Sequence, residues 1–278
     1  MKSQHHQHHS AAGAGDIAMA ELLDLDAEVL HAYVSDVTAW LEELAGDRPP
    51  RRILDLGSGT GTGTFALLRR FERAEATTLD ISPHMLHHLG DRARGLGMAD
   101  RVRAVQTDLD AAWPDLDTVD LVWAASSLHH MADPDHVLTE VFAALRPGGL
   151  LVVVEMDFFP RFLPDDVGFG RPGLEARCHA VLTAGRSDDW GPHLSRAGFT
   201  IEAERPFAID LRPPFPASTG RYAQASLRRI RSNLDGRMSA DDLATLDTLI
   251  NGDGPEGVLR RDDLTVRTTR TVWVARRP

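Results

Sequence analysis

The sequence predicts an α/β fold in which a doubly wound, mostly parallel sheet of seven strands carries helices on both faces. Two observations lead to this prediction. From Arg51 onward, short apolar runs alternate with stretches of helical periodicity, a pattern typical of parallel strands joined by crossover helices. Residues 150–154 are apolar throughout, as expected of a strand that is covered on both faces.

The chain begins with a polar, histidine-rich stretch, residues 1–15, which we expect to be disordered. Residues 16–48 are expected to form an N-terminal helical cap, because apolar residues recur on one helical face between Leu30 and Leu44. Gly46 and the two prolines that follow should end this helix. The rest of the chain, residues 49–278, is predicted to be one α/β domain.

The sheet is expected to begin with five strands separated by helices. The predicted strands are residues 52–56, 75–80, 102–106, 119–124 and 150–155. The helices are predicted near Thr64, Pro83, Pro134 and Arg171.

Two further strands are expected near the C-terminal end of the sequence. Apolar and polar residues alternate over residues 199–203, and more loosely over residues 264–274, which predicts strands at a half-exposed sheet edge. Between them, a proline-rich turn at residues 212–216 precedes two predicted helices, residues 219–234 and 240–250. We interpret residues 207–262 as a helical insertion before the last strand that can cap a site.

Composition argues against several classes of partner. The 278 residues include 30 basic and 41 acidic side chains, with a formal net charge of −11, which disfavours binding to nucleic acid or anionic lipid. No run approaches the roughly 18 apolar residues of a membrane helix, and Cys178 is the only cysteine. A cytoplasmic protein without disulfides is therefore expected.

Lysine and histidine usage excludes further kinds of site. Lys2 is the only lysine, so a P-loop or a Schiff-base lysine is not expected. The N-terminal histidine cluster and the His84/His88 pair have spacings that could suit a metal, but no carboxylate–histidine signature accompanies them. We predict no metal site.

A glycine-rich turn follows the first predicted strand, in the segment Ile53-Leu54-Asp55-Leu56-Gly57-Ser58-Gly59-Thr60-Gly61-Thr62-Gly63. Glycine lets a ligand approach the backbone closely, and the following helix offers unpaired N–H donors. A dinucleotide-binding G-x-G-x-x-G would need glycine at position 62 or 64, and both are threonine. A nicotinamide dehydrogenase is therefore disfavoured, although some members of that class depart from the pattern.

Two acidic residues end the next two predicted strands. Asp80 lies 19 residues after Gly61, close to the spacing of about 20 expected for a carboxylate that binds ribose hydroxyls. Asp108 ends the third strand and is followed by Leu109. There a carboxylate can accept from an exocyclic amine while the leucine packs on a purine.

In the order and spacing of five motifs, residues 51–155 resemble the class I, Rossmann-like S-adenosylmethionine-dependent methyltransferases. The motifs are Asp55 with Gly57, Gly59 and Gly61; Asp80-Ile81-Ser82-Pro83-His84-Met85-Leu86; Asp108; Asp120-Leu121-Val122-Trp123-Ala124-Ala125-Ser126-Ser127-Leu128-His129-His130; and Leu145-Arg146-Pro147-Gly148-Gly149-Leu150.

The resemblance implies S-adenosylmethionine as cofactor and S-adenosylhomocysteine as product. The turn would hold the methionine part, Asp80 the ribose, and Ile81, Met85, Asp108 and Leu109 the adenine. The implied cofactor-binding residues are Asp55, Gly57, Ser58, Gly59, Thr60, Gly61, Asp80, Ile81, Met85, Asp108, Leu109 and Ala125. For each of these residues, the alternative to cofactor binding is a purely structural role in packing.

Candidate catalytic residues lie where the transferring methyl group should emerge. His129 and His130 follow the fourth strand and could act as bases, since histidine titrates near neutral pH. Glu155, at the end of the fifth strand, could bind the acceptor, and Tyr33 could close over it from the cap. The alternative for the histidines is that one of them only stabilises the loop. The alternative for Glu155 is a solvated strand end, and that for Tyr33 is a plain surface helix.

We therefore predict an enzyme that methylates an O, N or C atom of a small molecule. A catalytically silent cofactor-binding protein and a cofactor-dependent enzyme with a non-methylating outcome are the alternatives. The sequence leaves open whether the chain is a monomer or a homodimer.

Overall fold

The computed structural model describes the backbone of residues 5–184 and 189–278, and side chains from residue 15 onward apart from that gap. The strands are β1 (Arg52–Leu56), β2 (Glu75–Asp80), β3 (Val102–Gln106), β4 (Val119–Ala125), β5 (Leu145–Met156), β6 (Thr200–Leu211) and β7 (Val266–Arg276). The helices are α1 (His5–Val29), α2 (His31–Ala45), α3 (Thr62–Arg70), α4 (Pro83–Gly95), α5 (Pro134–Ala144), α6 (Leu174–Thr183), α7 (Gly191–Arg196), α8 (Thr219–Ser232) and α9 (Ala240–Asn251). Of the predicted disordered terminus, residues 5–15 belong to the backbone of α1, and residues 1–4 lie outside the described residues.

The strands form one seven-stranded sheet in the order β3-β2-β1-β4-β5-β7-β6. Strands β1 to β5 pair in parallel, whereas β7 runs antiparallel to both β5 and β6. The prediction of a mostly parallel, doubly wound sheet of seven strands is confirmed. The strand order reverses between β1 and β4, and in such sheets ligands bind outside the carboxyl ends of the strands at this point.

The last strand lies inside the sheet, so the prediction that it forms a half-exposed edge is wrong. Strand β7 is inserted between β5 and β6. Two of its polar residues are buried and hydrogen-bonded: Thr268 donates to the carbonyl of Phe158, and Arg270 donates to Asp26. A buried polar residue gives the same alternation as an exposed one, which is why the pattern was misleading.

Strand β6 forms this edge of the sheet, β3 forms the other, and β6 is longer than predicted. Its pairing with β7 continues to Leu211, opposite Val266, because Phe207 and Ile209 are buried on one face. The segment between β6 and β7 therefore begins at residue 212 rather than at residue 207. It contains the two predicted helices, α8 and α9.

The N-terminal cap consists of two helices rather than one. Helix α1 ends at Val29, and Leu30 interrupts the helical backbone before α2 begins. Val37 and Leu41 of α2 are fully buried, as the periodicity predicted. Helix α1 packs against α8 and α4, so the cap and the C-terminal segment meet above the sheet edge that carries the glycine turn.

Two apolar layers cover the sheet. One includes Val37, Trp123 and Tyr222 and lies under α2, α3, α8 and α9. The other includes Val122, Val141 and Leu194 and lies under α5 and α7. Among the described helices, none has the length and apolarity of a membrane span.

Candidate active site

The glycine turn joins β1 to α3 at the point where the strand order reverses. Gly57 and Gly61 have φ angles of 64° and 82°, a region that favours glycine. A Cβ atom on Gly57 would lie 2.6 Å from the Cβ of Ser127, in the loop after β4. The turn therefore packs tightly between the ends of β1 and β4, and no side chain fits at Gly57.

Asp55 lies beneath this turn, in the buried part of β1. Its carboxylate accepts a hydrogen bond from the hydroxyl of Thr64 in the first turn of α3. Burial raises the pKa of Asp55 to about 7, and the nearby carboxylate of Asp80 acts in the same direction. Asp55 thus connects the strand to the helix that follows the turn.

Asp80, at the end of β2, contacts the turn directly. One carboxylate oxygen accepts from the backbone N–H of Gly59 at 2.8 Å, and the other accepts from that of Ser82 at 2.9 Å. An ionised carboxylate offers about four lone-pair sites, so both oxygens keep capacity for further donors. Asp80 can therefore order the turn and still accept from two ribose hydroxyls.

The residues predicted around the adenine differ in exposure. Ile81 is 62% exposed, whereas Met85 and Leu109 are buried. Asp108 is exposed, and one carboxylate oxygen accepts from the N–H of Asp110 at 3.1 Å. An exposed isoleucine beside Asp80 is an apolar surface available to a purine, while Leu109 packs mainly against the core.

Polar atoms around the turn are suited to hydrogen-bond the charged amino and carboxylate groups of the methionine part of the expected cofactor. Within the described residues, the hydroxyls of Ser58 and Ser127 are buried without a hydrogen-bond partner. Thr60 is buried too, and Arg92 of α4 donates to its carbonyl and hydroxyl oxygens at 2.9 and 3.0 Å. Ala125, at the end of β4, is half-buried and precedes Ser126, whose φ of 52° is unusual for a residue other than glycine.

Helix α1 covers the glycine turn, a contact that the sequence did not reveal. The Cδ1 atom of Leu23 lies 2.9 Å from the position of a Cβ on Gly59. Asp24 pairs with His88 at 2.7 Å and with Arg92 at 2.8 Å. The hydroxyl of Ser82 donates to Asp16 at 2.6 Å. The signal in the sequence was a set of acidic residues on α1 and basic residues on α4.

His129 and Glu155, both predicted as catalytic, are hydrogen-bonded to each other. The Nδ1 atom of His129 lies 2.8 Å from a carboxylate oxygen of Glu155. The glutamate is 3% exposed, and the histidine side chain is 22% exposed. The ring centroid of His130 lies 4.0 Å from that of His129. A buried carboxylate thus fixes one nitrogen of a partly exposed histidine and leaves the other nitrogen available.

Tyr33, the fourth predicted catalytic residue, belongs to a buried polar cluster that the sequence did not reveal. The cluster, named here the Arg270 cluster, comprises Asp26, Tyr33, Tyr222 and Arg270. Asp26 accepts from the hydroxyl of Tyr222 at 2.5 Å and from the Arg270 guanidinium. That guanidinium lies 5.3 Å from the ring centroid of Tyr33. Burial raises the pKa of Tyr33 to about 12, so its hydroxyl is a donor at neutral pH and not a base.

Comparison with known proteins identifies the family. A methyltransferase domain model matches residues 53–149. The 27-O-demethylrifamycin SV methyltransferase of Amycolatopsis mediterranei is 32% identical over 231 residues, which cover 76% of this chain and 81% of that protein. This chain belongs to the class I S-adenosylmethionine-dependent methyltransferases. The prediction of a methyltransferase that uses S-adenosylmethionine is confirmed, and the silent and dehydrogenase alternatives are set aside.

Two further comparisons bear on this methyltransferase. The malonyl-[acyl-carrier protein] O-methyltransferase of Halorhodospira halophila is 36% identical over 185 residues, which cover 66% of this chain and 59% of that protein. The structure of a Bacillus halodurans C-125 protein assigned as a methyltransferase matches with a TM-score of 0.55 at 19% identity, and covers 87% of this chain and 98% of that one. The second likeness shows the shared fold.

The residues of this methyltransferase fit the cofactor. The tight glycine turn, the spare lone pairs of Asp80 and the unpartnered hydroxyls of Ser58 and Ser127 within the described residues all face the same sheet edge. The matched region, residues 53–149, contains the turn, Asp80, Asp108 and His129. Glu155 and the Arg270 cluster lie outside it. No group of three or more metal-binding side chains occurs within the described part of the chain.

Proposed function

We propose that this methyltransferase methylates a hydroxyl oxygen of a small organic molecule, with His129 as the base and Glu155 as the residue that positions it. The hydrogen bond between His129 and Glu155 carries this proposal. Bound S-adenosylmethionine supplies an electrophilic methyl group on a sulfonium that leaves as the neutral thioether of S-adenosylhomocysteine. A hydroxyl needs to lose its proton as it attacks, whereas a neutral amine can attack through its own lone pair.

The pair of residues suits this proton transfer. With Nδ1 held by the carboxylate, the Nε2 atom of His129 is left to accept the hydroxyl proton. The buried glutamate then offsets the positive charge that forms on the ring. The proton leaves to solvent from the partly exposed histidine.

The cofactor-binding roles are part of the same proposal. We assign Asp80 to the ribose, the turn from Gly57 to Gly61 to the methionine part, and backbone near Ala125 to its amine. Ile81, Met85, Asp108 and Leu109 are assigned to the adenine. The contacts of Asp80 with the turn, and the exposure of Ile81, support these assignments.

The acceptor is proposed to be a small molecule. Helix α1 lies across the glycine turn, and α8 packs against α1, which favours an enclosed site over an open groove for a polymer. The name of the Amycolatopsis relative gives a small-molecule acceptor for that protein. The acidic composition and the single cysteine favour the cytoplasm as the location.

A variant at His129 tests the proposed base. We expect His129→Ala to lower kcat by about 10²–10⁴-fold, with partial rescue by added imidazole and an unchanged Kd for S-adenosylhomocysteine. The assay measures S-adenosylhomocysteine formation with paired panels of phenols, alcohols and amines, and NMR locates the methyl group in the product. His136→Ala, at an exposed histidine of α5, serves as the control. A fully active His129→Ala enzyme, or a product methylated only at carbon or nitrogen, would overturn the proposal.

A further inference from the structure

Two arginines lie directly opposite each other where the chain continues past the end of β5. Arg161 and Arg267 form an antiparallel bridge, in which each backbone N–H donates to the carbonyl oxygen of the other residue, at 2.8 and 3.0 Å. Side chains opposite each other in such a bridge project to the same face, from Cα atoms about 5.5 Å apart. Because like charges directly opposite each other are destabilising, these two residues, named here the arginine pair, call for a negative charge between them.

The described residues do not supply that charge. Neither guanidinium forms an ion pair with a described carboxylate, and the Nε atom of Arg161 is buried without a hydrogen-bond partner there. Glu175 of α6 lies close enough for both arginines to act on its carboxyl, yet burial raises its pKa to about 7. Its two oxygens already accept from the backbone N–H groups of Phe162 and Leu163 at 2.9 to 3.0 Å. Glu175 is therefore not the counterion of the arginine pair.

The arginine pair projects to the same face of the sheet as Glu155. In the ladder between β5 and β7, Glu155 lies opposite Thr271, as Arg161 lies opposite Arg267. Thr271 and Arg267 are four residues apart in β7, and the side chains of a strand alternate between its two faces. All four side chains therefore share one face, and the strand rise places the two rungs about 13 Å apart. The carboxylate of Glu155 contacts His129 on this face.

The surroundings of the arginine pair suit an anionic ligand group. The guanidinium of Arg161 lies 5.4 Å from the ring centroid of Phe158, and the side chain of Arg267 is exposed. The separation of about 13 Å from Glu155 exceeds the screening length of about 8 Å in physiological salt. Asp157, between the two rungs, is exposed and accepts from the hydroxyl of Thr271 at 2.8 Å. A carboxylate or phosphate group can accept from both guanidinium groups at once.

We propose that the arginine pair binds an oxyanion of the acceptor, a carboxylate or a phosphate group, while His129 receives the proton of the acceptor hydroxyl. The acceptor is then an elongated molecule whose anionic group lies roughly 13 Å from the hydroxyl that is methylated. A shorter hydroxy acid reaches only one of the two positions. This inference rests on the proposed function, since it defines the acceptor of the same site.

Phenols that carry an acid at increasing distance test the inference without methyl transfer. The probes are acetate, butanoate and hexanoate, each with a para-hydroxyphenyl group at the end of its chain, and the methyl ester of each. Calorimetry measures their binding to the full chain loaded with S-adenosylhomocysteine. The hexanoate, which spans roughly the distance between the rungs, should bind about tenfold more tightly than its ester, as expected of a charge-assisted hydrogen bond. The acetate should have no such advantage, and added salt should reduce that of the hexanoate.

A phosphonate of the same length as the hexanoate distinguishes the two kinds of oxyanion. Tighter binding of the phosphonate than of the hexanoate assigns a phosphate group to the acceptor, and the reverse order assigns a carboxylate.

Variants assign the advantage to the arginine pair. Arg161→Gln and Arg267→Gln remove the charges and keep the backbone bridge, so each should reduce the advantage of the hexanoate over its ester. The double variant should abolish it. Arg103→Gln, at an exposed position of β3 on the opposite edge of the sheet, is the control. Unchanged affinity for S-adenosylhomocysteine shows that each variant is folded.

Three outcomes would overturn the inference: a hexanoate that binds no better than its ester or does not bind, an equal advantage for the acetate, or an advantage that survives in the double variant. The result is separable from the test of the base. If His129→Ala stays active while the probes behave as expected, the proposed function fails and the oxyanion site stands. If His129→Ala is inactive but the double variant keeps the advantage, the reverse holds.

Discussion

The Nδ1 atom of His129 lies 2.8 Å from the carboxylate of Glu155, although His129 follows β4 and Glu155 lies near the end of β5. Strands β4 and β5 pair in parallel, with Ala125 opposite Val154, so the residues just after these positions meet at the same edge. The carboxylate is buried and the imidazole is partly exposed. The protein thus holds an oriented histidine beside the carboxyl end of β4.

Replacing the carboxylate of Glu155 by an amide should slow methyl transfer without affecting the cofactor. In Glu155→Gln, the amide cannot offset the charge that His129 gains with a proton, so we expect kcat to fall by about 10²-fold or more. Glu155→Asp keeps the negative charge but places it farther from His129, and it should retain more activity than Glu155→Gln. Single-turnover kinetics measures the rate, and calorimetry measures the Kd for S-adenosylhomocysteine. If Glu155→Gln retains the wild-type kcat, Glu155 does not position His129 for catalysis.

A variant of Asp80 should weaken both S-adenosylmethionine and S-adenosylhomocysteine. We expect Asp80→Asn to raise both Kd values about tenfold or more, because a charge-assisted hydrogen bond to a ribose hydroxyl is weakened. The same carboxylate also orders Gly59 and Ser82, so a cofactor analogue separates the two roles. An S-adenosylhomocysteine analogue without the ribose hydroxyls should lose little further affinity in the variant. Glu75→Gln, at the exposed start of β2, is the control. If S-adenosylhomocysteine and the analogue without ribose hydroxyls lose affinity equally in Asp80→Asn, Asp80 only orders the loop and does not bind the ribose.

The sequence predicted the bounds of strands well where the strands have clear ends. Strands β1, β2 and β3 have the predicted bounds because glycine or aspartate ends the first two and polar residues follow the third. Strand β5 begins earlier than predicted, at Leu145. The segment Pro147-Gly148-Gly149 has the composition of a turn, yet the strand continues through it with a register shift opposite β4.

The site could be predicted residue by residue but not as a set of contacts. The topology places His129 and Glu155 at the same edge, whereas their hydrogen bond depends on side-chain rotamers that no sequence pattern encodes. Arg270 was missed for a different reason. Its partner Asp26 is 244 residues away in the chain, and a buried ion pair between distant elements leaves no local periodicity.

Loosening α1 should speed release of the cofactor product. Asp24 connects α1 to His88 and Arg92 on α4, and Arg92 also holds the carbonyl of Thr60 in the glycine turn. We expect Asp24→Asn to raise the dissociation rate of S-adenosylhomocysteine several-fold, and to raise amide hydrogen exchange in α1. Stopped-flow fluorescence and exchange mass spectrometry measure the two effects. Asp91→Asn, at an exposed position of α4, is the control, and unchanged release in Asp24→Asn would contradict a role for this contact.

Two glycine-to-alanine variants in helices should have opposite effects on stability. A Cβ on Gly63 would overlap the Nε1 atom of Trp123, whereas a Cβ on Gly90 would meet only the flexible end of Arg94 at 3.7 Å. We expect Gly63→Ala to lower the free energy of unfolding by about 1–3 kcal/mol through overpacking. Gly90→Ala should raise it by up to about 1 kcal/mol through helix propensity. Urea denaturation followed by circular dichroism decides, and a neutral Gly63→Ala would mean that Trp123 can move.

The buried carboxyl of Asp55 should make stability fall as the pH rises toward neutrality. Its pKa is raised by burial from 3.8 to about 7, so the folded state holds the proton more tightly than the unfolded state does. The associated stability is complete below the unfolded pKa and is lost as the pH rises through the folded pKa.

Asp55→Asn cannot ionise and keeps an oxygen that can accept from Thr64. As the pH rises between these two pKa values, the free energy of unfolding of the variant minus that of the wild type should therefore increase by up to about 4 kcal/mol. Urea denaturation of both proteins across this range measures the difference, with Asp47→Asn, at an exposed loop position, as the control. A difference that does not change with pH would mean that Asp55 is ionised throughout, and the first turn of α3 would then be held by a charged rather than a neutral hydrogen bond.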